Sequence, residues 1–162
     1  MTALAAFTLL HVLISMAGIG SGFVVIGEFV TGKRNDRANI VFLITTVATS
    51  VTGFFFPVER FLPSHAVGIL SLAILTVAIA GWRRNLAGPW RTVYVITAIA
   101  AQYLNVFVLV VQIFAKTAAL KSLAPTQSEP PFVIAQGIVF ALFVIAGVAA
   151  VRRFRAEPTP AT

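Results

Sequence analysis

Cysteine is absent from this 162-residue chain. That absence excludes disulfides, iron–sulfur ligation, thioether-attached haem and thiol catalysis. Acidic residues are scarce, five Asp and Glu against twelve Lys and Arg, and none falls in the middle of an apolar run. A proton- or sodium-coupled pump built on a buried carboxylate is therefore disfavoured. No glycine-rich phosphate loop, HExxH pair or nucleophile elbow occurs, so hydrolytic and nucleotide chemistry have no foothold. No cation precedes Lys33, so "MTALAAFTLLHVLISMAGIG" lacks the basic start of a signal peptide and reads as a retained first span.

What the chain does have is apolar bulk: 59% hydrophobic residues, 10% charged and a mean hydropathy of +0.96. A water-soluble domain of this size has too little core to hide so much apolar surface. Several apolar runs reach bilayer-spanning length. The expected fold class is all-α, an integral membrane helical bundle of five transmembrane helices forming one unit over residues 1–152. The spans are expected at about 4–30, 40–56, 65–82, 92–115 and 132–151, with a disordered tail at 153–162.

A net charge of +7 raises the question of nucleic acid. The cations instead sit in short clusters at span ends, where they signal topology and meet anionic lipid. Lys33, Arg34, Arg37, Arg83, Arg84, Arg91, Arg152, Arg153 and Arg155 fall on one side; Arg60, Lys116 and Lys121 fall on the other. The positive-inside rule makes the nine-cation side cytoplasmic, with the N-terminus outside and the C-terminus inside. Trp82 and Trp90 flank the second basic loop, as interfacial aromatics do. In "PVERFLPS" the two prolines end one helix and start the next, with Ser64 a candidate N-cap. In "KTAALKSLAPTQSEPPF" the Ala-Ala-Leu part has the makings of a short surface helix.

The polar residues inside the spans carry the functional reading. His11, Ser15, Gly18 and Gly22 follow i, i+4, i+7, i+11 and share one helix face. That stripe is either a small-xxx-small packing seam or a space left for a flat cofactor ligated by His11. In "AAQYLNVFVLVVQIFAK", Gln102, Asn105 and Gln112 share a face that should point into protein rather than lipid. At about 1.5 Å per residue His11 lies roughly 10 Å below the outer boundary and Asn105 about 15 Å. Thr49, Ser50, Thr52, Gln136 and His65 fall in the same outer half. In "ERFLPSH", Glu59 and His65 are either interfacial anchors or a pair in which Glu59 accepts a hydrogen bond from His65 while His65 ligates a metal or haem.

The expected site is thus an outer-leaflet pocket of His11, His65, Asn105, Gln112 and Gln136 in a binding or accessory protein, for haem b or a quinone. His11 and His65 would be axial ligands if haem binds. One alternative is a small-solute transporter or channel acting as an oligomer. Another is a structural or assembly subunit of a larger membrane complex. An enzyme follows only if the ligand is a redox cofactor.

The chain from "FPVERFLPSH" through the last span, most specifically "YLNVFVLVVQ" and "LAPTQSEPPF", resembles small polytopic inner-membrane proteins of bacteria that have no assigned activity. The resemblance implies a bacterial inner membrane and draws interest to "NVFVLVVQ" and the long outer loop. It implies nothing about mechanism.

Overall fold

A computed structural model describes residues 2–57 and 62–155. Among these residues the regular structure is helical throughout: α1 (Ala3–Thr31), α2 (Asp36–Thr52) running into a 3-10 turn (Gly53–Phe55), α3 (Pro63–Arg83), α4 (Trp90–Lys116), a short α5 (Ala118–Leu123) and α6 (Pro130–Arg153). Five of these are long and apolar enough to cross a membrane, the second as Asp36–Phe55. Each overlaps its expected span and extends it at the basic side; in α2, α3, α4 and α6 the added residues include Arg37, Arg83, Arg91, Arg152 and Arg153, which keep helical geometry. The Ala-Ala-Leu segment does form the short α5.

Local chemistry sets the helix ends. The Thr2 hydroxyl accepts from Ala5 N at 3.2 Å to open α1. Gly32 closes it in the left-handed region (φ 74°), with Lys33 N donating to Glu28 O at 2.8 Å. A Cβ on Gly32 would also lie 3.2 Å from the Arg153 carbonyl, so two helix ends meet there. The Asn35 side chain caps α2 through Ala38 N, and Pro63 takes the first position of α3. The N-cap of α3 is Leu62 rather than Ser64: Pro63 fixes the first helical φ one residue earlier, so Ser64 is already inside the helix.

The long helices alternate in direction, so the segments carrying Lys33, Arg34 and Arg37, Arg83, Arg84 and Arg91, and Arg152 and Arg153 meet at one end, called here the basic end. Arg34 stacks on Trp82 at 5.1 Å and Arg84 on Trp90 at 4.0 Å. Helix α4 is central, packing on α1, α3 and α6, and it supplies the largest share of buried residues. The outer faces are bare hydrocarbon: Leu13, Ile44, Phe55, Ile134 and Ile145 are all exposed. A polar minority inside and an apolar surface outside is the inverse of a water-soluble bundle. Phe154, expected in a loose tail, is fully buried against Phe29 at 4.7 Å, and Arg91 donates to its carbonyl. An aromatic side chain at a helix end finds more stabilisation in the core than outside it.

Candidate functional site

Three polar groupings cross the bundle interior at different levels. The central one is built on Gln102, fully buried, 12 residues from Trp90 and 14 from Lys116, hence at mid-helix. Its Nε2 donates to the Ile19 carbonyl at 2.8 Å, and its Oε1 accepts from Asn105 Nδ2 at 3.3 Å. Asn105 Nδ2 also donates to Thr46 Oγ1 at 3.2 Å. One amide pair therefore ties α1, α2 and α4 together. The glycine stripe makes room for it: a Cβ on Gly22 would lie 2.1 Å from Gln102 Oε1. A Cβ on Gly18 would meet Thr45 Oγ1 at 3.2 Å.

This filling decides the cofactor question along the stripe. A haem needs small residues that leave space beside its histidine. Here Gln102 and the α2 threonines already occupy the space that Gly22 and Gly18 leave. The residues present do not fit a haem lying on this face of α1.

The second grouping lies about 12 Å further along α1, eight residues from Ile19 at 1.5 Å each. His11 is half-buried, with Nδ1 2.8 Å from Thr52 Oγ1 and its ring edge-on to Phe56 at 5.0 Å. Phe7 packs on the same Phe56. The Thr52 hydroxyl donates its single proton to the Ala48 carbonyl at 2.7 Å, so it meets His11 as an acceptor. In that arrangement the ring proton is on Nδ1, and Nε2 carries a lone pair with no hydrogen-bond partner among the described residues.

The remaining candidates are separate. His65 Nδ1 accepts from Leu62 N at 3.1 Å, and its ring stacks on Phe54 at 5.6 Å. The ring thus helps to start α3. Glu59 and Arg60, expected beside it, lie outside the described residues. Gln112 is exposed near the far end of α4. Gln136 Nε2 donates to the Phe107 carbonyl at 3.1 Å, bridging α6 and α4, while its Oε1 is buried and unpaired among the described residues. Among the described residues no hydrogen bond joins His11, Asn105, Gln112 and Gln136 to one another. The described residues hold no group of three or more metal-ligating side chains.

The third grouping was not a sequence candidate. Asn39 and Tyr94 are fully buried near the basic end, with Tyr94 OH donating to Asn39 Oδ1 at 2.7 Å. Asn39 Nδ2 in turn donates to the Asn35 carbonyl at 2.8 Å. Asn39 sits among cations and reads as loop, yet the Asn35 cap places it a full turn inside α2. The signal was the N-D pair opening an apolar run.

The chain matches no family model, no curated protein and no solved structure.

Proposed function

We propose that this is a multi-pass protein of the bacterial inner membrane, N-terminus outside and C-terminus cytoplasmic, that binds an apolar ligand carrying a hydrogen-bond-donating head. The nine cations at one end support the orientation. The observation that carries the ligand reading is His11: an imidazole held on Thr52 through Nδ1 and set edge-on to Phe56, on which Phe7 also packs, so that with the proton on Nδ1 its Nε2 offers a lone pair. A hydroquinone matches it, because its hydroxyl donates where a quinone carbonyl cannot and its ring suits an aromatic surround. The protein acts as a binding or accessory protein rather than as an enzyme in its own right. A transport path is disfavoured because Phe29, Phe42, Leu75 and Tyr94 fill the basic half. Docking of a larger complex through Gly18 and Gly22 is disfavoured because that seam is filled from within.

The test is titration of the detergent-purified protein with a decyl-chain benzoquinol and, separately, its quinone. The quinol should bind at least about tenfold more tightly, since a buried polar atom left unpaired costs roughly 1–3 kcal/mol. His11→Ala should abolish that difference, and His11→Gln, which retains an acceptor, should keep part of it. Equal binding of quinol by wild type and a folded His11→Ala protein would sink the proposal. An oxidised and dithionite-reduced absorption spectrum should be featureless; a Soret band lost in His11→Ala would replace quinol by haem.

A further inference from the structure

Between α4 and α6 runs an open apolar groove of about 430 Å³, within the ordinary range for ligand sites. Its floor is Ile99, buried, beside Ala100 and Gly147, whose lack of bulk creates the depth. A Cβ on Gly147 would lie 3.8 Å from Ile99, an ordinary contact, so helix packing does not require glycine there. At mid-bundle the groove is stopped by an aromatic trio: Tyr103 meets Phe140 edge-on at 5.6 Å and Phe143 at 5.7 Å. At the other extremity it ends on the exposed guanidinium of Arg152.

Length and charge together specify an occupant. Phe140 to Arg152 is twelve residues, about 18 Å of helix, while half a bilayer's hydrocarbon core is about 15 Å. A channel of one leaflet's depth, closed at the midplane and cationic at the headgroup level, is complementary to one lipid molecule. The exposed Ile96, Phe140, Val144 and Val148 leave the groove open sideways, so a chain enters from the bilayer without unfolding anything. We infer that this groove holds an acyl chain of an anionic phospholipid from the leaflet at the basic end, with the phosphate on Arg152. Arg153 and Arg155 add to the local positive field.

Native mass spectrometry of the full chain, exchanged into mixed dioleoyl phosphatidylglycerol and phosphatidylcholine, tests this directly. The protein should retain one phosphatidylglycerol in preference to phosphatidylcholine. Arg152→Gln should reduce that preference about fivefold, one cation's attraction to an anionic headgroup. Gly147→Leu should remove the retained lipid by filling the groove. No headgroup preference in the wild type, or undiminished retention in Gly147→Leu, overturns the inference. Should Gly147→Leu fail to fold, a photoreactive benzophenone side chain is placed at Val148, in the groove, or at Ile145, exposed outside it. The lipid adduct should depend on phosphatidylglycerol at Val148 and not at Ile145. Equal headgroup dependence at both, or an adduct between two copies of the protein from Val148, overturns it as well.

Discussion

The half of the bundle at the basic end and the half at the far end are built on different terms. At the basic end, Phe29, Phe42, Trp82, Tyr94 and Phe154 interlock across α1, α2, α3, α4 and the end of α6, and the buried Asn39–Tyr94 hydrogen bond sits inside them. At the far end the polar links are pairwise and local: His11 to Thr52, Ser50 to Ser71 at 3.0 Å, Gln136 to Phe107. Among the described residues three buried side-chain oxygens lack a hydrogen-bond partner, and two of them, Thr49 Oγ1 and Gln136 Oε1, are in the far half. The contrast suits the binding role proposed above: a densely packed half that fixes helix positions and a less saturated half that can accept a ligand.

If that division holds, the costliest substitutions belong to the basic half. Phe29→Ala or Tyr94→Ala should destabilise by about 3–5 kcal/mol, as large-to-small changes in a packed core do. Tyr94→Phe should cost about 1–3 kcal/mol, because it leaves Asn39 Oδ1 buried without a donor. Reversible unfolding by SDS in mixed micelles measures both. A Tyr94→Phe protein as stable as wild type would mean that Asn39 has water access and the half is not sealed.

The central amide pair sits on the boundary between the two halves and should be intermediate. Gly22→Ala forces the Gln102 amide aside and breaks its bonds to Ile19 and Asn105, each worth roughly 0.6–2 kcal/mol between membrane helices. The double mutant Gly22→Ala with Gln102→Ala should then cost less than the sum of the two single changes, since removing the amide removes the clash. Additive costs would show that the Gly22 backbone approach, and not the amide, sets the α1–α4 distance. In the far half, Gln136→Leu should change stability by less than about 1 kcal/mol in either direction. It gives up one bond but also removes an unpaired buried oxygen.

How far the sequence foretold this division differs between its parts. The five long helices were legible because hydropathy and length are local properties. The inward turn of Gln102 and Asn105 was legible too, since a polar face among apolar residues has only protein to turn to. Gln112 was not, although it shares their face at 100° per residue. Seven residues past Asn105 on α4 correspond to Gly53, seven past its partner Thr46, where α2 gives way to the 3-10 turn. The face continues but its neighbour does not. The links within the apparent common layer were not legible for a related reason. Depths counted from separate span ends each carry an error of about a turn, and only side-chain contacts reveal that Asn105 belongs with Thr46 and Ile19 rather than with His11. The His11–Thr52 pair, 41 residues apart in sequence, had no local signal at all.

The smallest expected effect lies outside the helices, in the loop that joins the far ends of α5 and α6. Glu129 precedes Pro130 and folds back over the loop: its Oε1 accepts from Thr126 N at 3.1 Å and Thr126 Oγ1 at 2.8 Å, and its Oε2 from Ser128 N at 3.1 Å. Slight desolvation raises the carboxyl's pKa, but these hydrogen bonds to the charged form outweigh it and hold the group below its ordinary value of 4.5. A carboxylate with a lowered folded pKa contributes order that is complete above the ordinary value and disappears as pH falls through the lowered one. Amide exchange at Thr126 and Ser128, corrected for its intrinsic pH dependence, should therefore be slow and constant above about pH 5. It should quicken as pH falls through the lowered carboxyl value, while the core amides of α4 stay unchanged. Glu129→Gln should show the quick exchange at every pH. If wild-type protection persists to pH 3, the loop is held by Gln127, whose Nε2 donates to the Val111 carbonyl at 2.9 Å. The far half would then owe its loop to a neutral anchor on α4 and respond to acid no more than the basic half does.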